Sequence, residues 1–235
     1  MCLILSHSAG FLFERIFYMT PSTSLTVTEI FYSIQGESLC TGLPCVFIRL
    51  TGCNLRCSYC DTRYAYDGGQ NMPIVRILAQ IASYRCMLVA ITGGEPLLQG
   101  CTPLLIDTLL ENGYTVLLET NGSFDIRRVN TRCIRIVDIK CPSSGESHQN
   151  DWGNLNRLTP QDQVKFVIGN RNDFEFAKEI VPRISRIPCG NILFSNAAGQ
   201  LTPDVLAEWI LEDQLTVRLQ IQLHKILWPD IERGV

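Results

Sequence analysis

The sequence predicts an α/β domain built on a mostly parallel sheet, either doubly wound or curled into part of a barrel. Apolar, β-branched runs recur at "CVFIRLTG", "LVAITGG", "TVLLETNG", "IRIVDIKCP", "QVKFVIGN", "NILFSN" and "TVRLQIQLHKIL". Most lack strict alternation, as expected of strands covered on both faces. Helical patterns over 73–85, 103–112, 173–184 and 203–213 lie between several of them, three opening on a proline that the first helical turn tolerates. Strands outnumber helices: residues 123–131 are short for a crossover helix, and 143–162, "SSGESHQNDWGNLNRLTPQD", form a long polar connection. A connection of that length is usually functional, so part of it is expected over the site.

The 235 residues suit one sizeable domain, since no Pro/Gly/Ser-rich run or charge block marks a linker. Residues 25–235 are read as that single domain. Residues 1–24 are read as an N-terminal extension, either an upstream-start artefact, with Met19 a plausible start, or a disordered tail. The first 19 residues are apolar but interrupted by Ser6, His7, Glu14 and Arg15, which fits neither an export signal nor a membrane span. A net charge of −3 with scattered Lys and Arg offers no basic field for nucleic acid. The expected partner is a small molecule and the expected location cytoplasmic. There, 11 cysteines point to metal binding or catalysis rather than to a disulfide framework.

Polar and glycine residues follow the apolar runs at Thr92-Gly93-Gly94-Glu95, at Glu119-Thr120-Asn121-Gly122 and over 138–143. In parallel α/β folds strand ends and the loops after them build the site, so these segments should converge on one mouth. "TGCNLRCSYCDT" should join them, with Cys53, Cys57 and Cys60 spaced C-x3-C-x2-C. A structural zinc site closes with four ligands, and no fourth Cys or His stands at a zinc-module spacing. A 4Fe-4S cluster held by three thiolates leaves one iron free for a reagent. Cys141 is set aside as a fourth ligand because it would occupy that iron.

The cysteine spacing, with Tyr59 before the last cysteine and "TGGEP" downstream, resembles the radical S-adenosylmethionine (SAM) superfamily. The resemblance implies a partial, open (β/α) barrel with a curved, mostly parallel sheet and fewer helices than strands. It also implies SAM chelated to the free iron and reduced to a 5'-deoxyadenosyl radical that takes hydrogen from substrate. "IFYSIQGES", "CDT", "TGGEPLLQ", "DIKCPSSG" and "QLHKILW" narrow the resemblance to the 7-carboxy-7-deazaguanine synthase family, from about Thr28 onward. That family contracts 6-carboxy-5,6,7,8-tetrahydropterin to 7-carboxy-7-deazaguanine with loss of ammonia, on the way to queuosine and other 7-deazapurines.

By this resemblance Cys53, Cys57 and Cys60 hold the cluster, and Tyr59, Asp61, Gly94, Ser143 and Ser195 contact SAM. Thr62 binds Mg2+, while Ile34, Gln35, Gly36, Glu37, Arg49, Thr92 and His224 contact the pterin. Arg49 can grip the substrate carboxylate through a bidentate fork. Without the family, Thr62 reads as a turn hydroxyl, Arg49 as a paired surface residue and His224 as a core histidine of an apolar strand. An external electron donor such as a flavodoxin or ferredoxin and a homodimer are also implied. The alternatives are a radical SAM activase of a glycyl-radical partner and a non-catalytic, zinc-stabilised binding module.

Overall fold

A computed structural model describes residues 23–235; the expected extension over 1–24 therefore lies almost wholly outside the described residues. Nine strands form one open sheet in the order β3-β1-β2-β4-β5-β6-β7-β8-β9. They are β1 Ser24–Ile34, β2 Pro44–Leu50, β3 Gln70–Pro73, β4 Leu88–Gly93, β5 Thr115–Thr120, β6 Ile134–Ile139, β7 Gln163–Ile168, β8 Ile192–Asn196 and β9 Arg218–Gln220. From β2 through β9 every pairing is parallel. β1 pairs antiparallel with both β2 and β3.

β1 and β3 stand outside the seven runs for a compositional reason. "SLTVTEIFYSI" mixes apolar and polar residues as a half-exposed antiparallel strand does, and "QNMP" carries almost no strand signal. The last run needs a correction in the other direction. Only Arg218–Gln220 of "TVRLQIQLHKIL" is strand, and Leu223–Leu227 is a short helix. Its apolar residues fit either period, and a hydrogen bond from Leu223 N to Gly36 O (3.0 Å) ends the extended path.

The helices are α1 Ile74–Ser83, α2 Thr102–Glu111, α3 Arg171–Ile180, α4 Pro203–Glu212 and α5 Leu223–Leu227. In α1, Ile74, Ile77 and Ile81 recur at helical spacing and are buried. Asn170 caps α3, its side chain accepting from Asp173 N at 3.0 Å. No α-helix follows β5 or β6. Single 3-10 turns at Ile126–Arg128, Pro142–Ser144, Ser147–Gln149 and Trp152–Asn156 take their place.

Strand alternation gives the sheet two unlike faces. Val46, Ile48, Val89, Ile91, Leu118, Val137 and Phe166 belong to the main core with the helices. Phe47, Ala90, Leu117 and Ile136 form a much smaller apolar cluster with Phe31 and Cys45 on the other face. Further along that second face the same alternation sets out Arg49, Thr92, Glu119 and Asp138 near the carboxyl ends of β2, β4, β5 and β6, with Lys165, within β7, in register beside Asp138. The polar row and the apolar floor therefore share one side of the sheet.

Candidate active site

Those five residues line a single cavity of about 550 Å³, together with Gln35, Glu37, Cys53, Cys57, Cys60, Gly94 and His224. These contributions run from the end of β1 to the helix after β9.

The cysteine loop has no regular structure, so its shape comes from bonds to its neighbours. Gly52 N donates to Ala65 O (2.8 Å), Glu95 N to Gly52 O (2.8 Å) and Gly94 N to Leu50 O (3.1 Å). Gly94 packs so closely that a Cβ there would lie 2.1 Å from Gly52 O and 2.8 Å from Cys53 Cβ. Only glycine permits that approach. Ser58 N donates to Ser144 O (3.0 Å), Ser58 Oγ to Ser143 O (2.7 Å) and Arg56 N to Glu146 Oε1 (2.7 Å). The start of the long polar connection thus braces the cysteine loop from behind. Burial raises the Cys53 thiol and pushes that of Cys57 up to about 11.

Glu95, fully buried, locks the end of β4 to the end of β5. Its carboxylate accepts from Leu97 N (2.9 Å), Thr120 Oγ1 (2.9 Å) and Asn121 N (2.6 Å). Asn121 Nδ2 in turn donates to Asn54 Oδ1 (3.0 Å) and faces Cys53 Sγ at 3.9 Å. Burial holds the Glu95 carboxyl above its ordinary range despite these donors.

The opposite wall is built of charges. Glu37 accepts from Lys165 Nζ (2.8 Å), Gln222 Nε2 (2.7 Å) and Gln220 Nε2 (3.1 Å). Burial raises its carboxyl, but Lys165 and Gln222 outweigh that and leave it lowered. Asp138 Oδ2 takes Lys140 Nζ at 2.9 Å and lies 3.9 Å from Lys165 Nζ. Burial lowers both ammonium groups, and their carboxylate partners more than reverse it, so both end raised. Glu119 Oε2 accepts from Thr92 Oγ1 (3.0 Å), and burial raises its carboxyl. Gln35 is 2 % exposed; its Oε1 accepts from Glu37 N (3.1 Å), while its buried Nε2 has no partner among the described residues. Asp138 Oδ1 is likewise buried and unpartnered.

Of the sequence-predicted residues, Ile34, Gln35, Gly36, Glu37, Arg49, Cys53, Cys57, Tyr59, Cys60, Asp61, Thr62, Thr92, Gly94 and His224 all line the cavity. Ser143 and Ser195 do not. Ser143 is turned toward α3, its hydroxyl donating to Asp173 Oδ2 and its N to Asp173 Oδ1 (2.9 Å). Ser195 is 1 % exposed, and the five residues after it, Asn196 through Gln200, line the cavity instead.

Arg49 is braced rather than free: its Nε donates to Glu29 Oε1 (2.7 Å), which also accepts from Tyr64 OH (2.9 Å). His224 sits in α5 and not in a strand, and a Cβ on Gly36 would lie 2.3 Å from its Nδ1. Lys225 Nζ pairs with Asp61 Oδ2 (2.7 Å), and Thr62 Oγ1 donates to Asp61 Oδ1 (2.9 Å). Burial raises the Asp61 carboxyl, but Lys225 outweighs it and the net shift is down.

Lys165 and Gln222 escaped the sequence reading, and Glu119, Asp138 and Lys140 entered it only within the strand-end segments expected at the mouth. A signal was present: Glu119 and Asp138 each stand one residue before the end of their strand, and Lys165 interrupts the apolar run of β7. A charge there must be paired, ligated or facing a cavity.

Similarity to known proteins agrees with this geometry. The radical SAM superfamily matches residues 47–199. The 7-carboxy-7-deazaguanine synthase of Koribacter versatilis is 42% identical over 90% of this chain and 100% of its own length. That of Chlorobaculum tepidum is 41% identical over 92% of this chain and 100% of its own. The crystal structure of QueE from Escherichia coli superposes with TM-score 0.72 at 23% identity, covering 93% of this chain and 100% of that one, which supports the fold. These relatives overturn the two alternatives, an activase of a glycyl-radical partner and a zinc-stabilised binding module. Among the described residues no helix is long and apolar enough to cross a membrane. The chain belongs to the radical SAM superfamily and, within it, to the 7-carboxy-7-deazaguanine synthase family.

Proposed function

We propose that this chain contracts 6-carboxy-5,6,7,8-tetrahydropterin to 7-carboxy-7-deazaguanine with loss of ammonia, in the cavity at the carboxyl edge of its sheet. Membership of the superfamily implies SAM and a 4Fe-4S cluster. The residues present fit both. Three half-buried cysteines on an irregular loop can ligate a cluster, and Gly94, packed against Gly52 and Cys53 as only glycine can be, lines the cavity beside that loop, where the methionyl end of SAM would lie. When bound, cluster and SAM supply one-electron cleavage of the sulfonium and removal of a hydrogen atom from C6.

The observation that carries the reading is the single cavity shared by the three cysteines, the Thr92-to-Gly94 strand end and the Gln35-Gly36-Glu37 segment. Cys53, Cys57 and Cys60 would hold the cluster, and Gly94 with the Tyr59-to-Asp61 stretch would line the SAM site. Gln35 Nε2, buried and unpartnered, offers a donor to the heterocycle, and Glu37 and Glu119 offer acceptors for its amino and ring N–H groups. Arg49, its Nε bound to Glu29, presents the rest of its guanidinium to a carboxylate. His224 would close the pterin pocket beside Gly36.

Thr62 is the proposed protein ligand of Mg2+, beside Asp61 and with substrate and water completing the shell. Ser143 acts by bracing the cysteine loop through its carbonyl, and Ser195 by supporting the lining that follows it. A flavodoxin- or ferredoxin-like donor, a homodimer, a cytoplasmic setting and one catalytic domain over 25–235 complete the proposal.

Its test is an anaerobic assay of the iron- and sulfide-reconstituted protein with SAM, reductant, Mg2+ and 6-carboxytetrahydropterin, followed by mass spectrometry. The expected product is lighter than substrate by one ammonia, without stoichiometric loss of SAM. Cleavage of SAM without that product would overturn the substrate and keep the radical chemistry.

A further inference from the structure

Arg49 lines the cavity, and it is held by residues that do not. Its Nε donates to Glu29 Oε1 at 2.7 Å, and the same oxygen accepts from Tyr64 OH at 2.9 Å. Arg49 Cζ lies 5.6 Å from the ring centre of Phe31 and 5.7 Å from that of Tyr64. Tyr64 belongs to the 3-10 turn Arg63–Ala65 that follows the cysteine loop. Arg233, from the C-terminal segment, sets its own Cζ 4.3 Å from the centre of the same ring. We infer that Tyr64, fixed by Arg233 and bonded to Glu29, is a positioning residue for Arg49 and through it sets the affinity for the substrate carboxylate; this rests on the pterin site proposed above.

The geometry makes these residues a brace and not further binding groups. Glu29, Tyr64 and Arg233 are absent from the cavity wall, so they reach a ligand only through Arg49. Ordering a long side chain on binding costs about 0.5–1.5 kcal/mol, and a side chain held beforehand avoids that cost. With Nε committed to Glu29, the two Nη groups are left as the fork that matches a carboxylate. Burial pushes the Tyr64 phenol up to about 12, with Arg49 opposing, so the hydroxyl keeps its proton and donates to Glu29. The C-terminal segment and the start of this turn are tied a second time, by Lys225 Nζ and Asp61 Oδ2 at 2.7 Å.

Tyr64→Phe removes the hydroxyl and keeps the ring that both guanidinium groups face. Equilibrium dialysis on reconstituted enzyme with SAM and Mg2+, anaerobic and without reductant so that nothing turns over, compares two ligands. One is 6-carboxytetrahydropterin, and the other is the same tetrahydropterin without its carboxyl group. Tyr64→Phe should bind the carboxylated ligand roughly 10-fold more weakly than wild type and the other within about twofold. Arg233→Ala should lose about threefold on the carboxylated ligand alone, and Arg233→Lys, which keeps a cation over the ring, should recover it.

Unchanged affinity of Tyr64→Phe for the carboxylated ligand, or an equal loss for both ligands, would overturn the inference. Were wild type to hold both ligands equally tightly, or neither, the pairing of Arg49 with the substrate carboxylate would fall instead. Should Tyr64→Phe not fold, the Arg233 variants decide, since Arg233 is exposed and outside the cavity. Wild-type affinity in Arg233→Ala would then overturn the inference.

Discussion

Strand β6 carries two charges, three residues apart, that meet opposite fates. Arg135 lies near its amino end with the parity of Val137 and Ile139, residues of the helix-covered core. Its partner Asp162 is 0 % exposed and is bonded through Arg135 N (2.9 Å), Arg135 Nε (3.1 Å), Thr159 N (2.6 Å) and Thr159 Oγ1 (2.9 Å). Arg135 spends its remaining donors on Ile126 O (3.3 Å) and Arg157 O (3.2 Å). Every guanidinium nitrogen and both Asp162 oxygens have a partner. Asp138 lies near the carboxyl end on the other face, in the cavity, and keeps an oxygen unpartnered. A sealed, saturated pair serves the fold, and an open, unsaturated one is prepared for something that arrives later.

The largest separation between the two roles is expected at the cysteine loop. Cys57→Ala should abolish cluster assembly and turnover while circular dichroism and the melting temperature stay near wild type; iron analysis and thermal melts check both. A collapse of the fold would mean that the loop, too, belongs to the sealed class. Next comes Asp162→Ala, which leaves Arg135 buried and unpaired and should cost about 3–5 kcal/mol in urea unfolding. SAM affinity of its folded fraction should not change.

Lys165→Met should behave in the opposite way. Glu37 retains the amides of Gln220 and Gln222, so the stability loss should be about 1–2 kcal/mol. Turnover should fall on the order of 100-fold, because two carboxylates at the site lose their shared cation. Equal losses of stability for Asp162→Ala and Lys165→Met would erase the distinction. Thr62→Val should spare the cluster and weaken the Mg2+ response by about tenfold in apparent affinity, read from an activity titration.

The smallest effect concerns pH. Burial lowers the His224 imidazole, with Glu37 opposing. Its contribution to stability is therefore complete above the unfolded pKa of about 6.5 and is lost as pH falls from there through the depressed folded value. Urea midpoints compared between pH 8 and pH 5.5 should decline less in His224→Asn than in wild type.

Much of this was legible along the chain, and for reasons that particular residues make plain. Leu88 to Gly93 and Gln163 to Ile168 read as strands because apolar residues on both faces need no alternation. The spacing of Cys53, Cys57 and Cys60 announced a ligand set because their separation in sequence is their separation in one loop. β1 was less legible, since its mixed composition suits a half-exposed strand that only its pairing with β2 and β3 defines. His224 was misplaced because a short apolar run fits a strand and a helix equally, and the bond from Leu223 to Gly36 decides between them.

The sequence by itself determined the parallel α/β architecture, the cysteine loop and the residues with the chemistry for a cluster, because periodicity and short spacing are local properties. Only the tertiary structure decided which charges work in pairs. Glu37 and Lys165 are 128 residues apart and meet across the sheet, and Lys225 reaches back 164 residues to Asp61. Strand order and register set those meetings. They also left Ser143 facing α3 while its carbonyl braces the cysteine loop, and left Asp138 with an oxygen to offer, neither of which any run of neighbouring residues records.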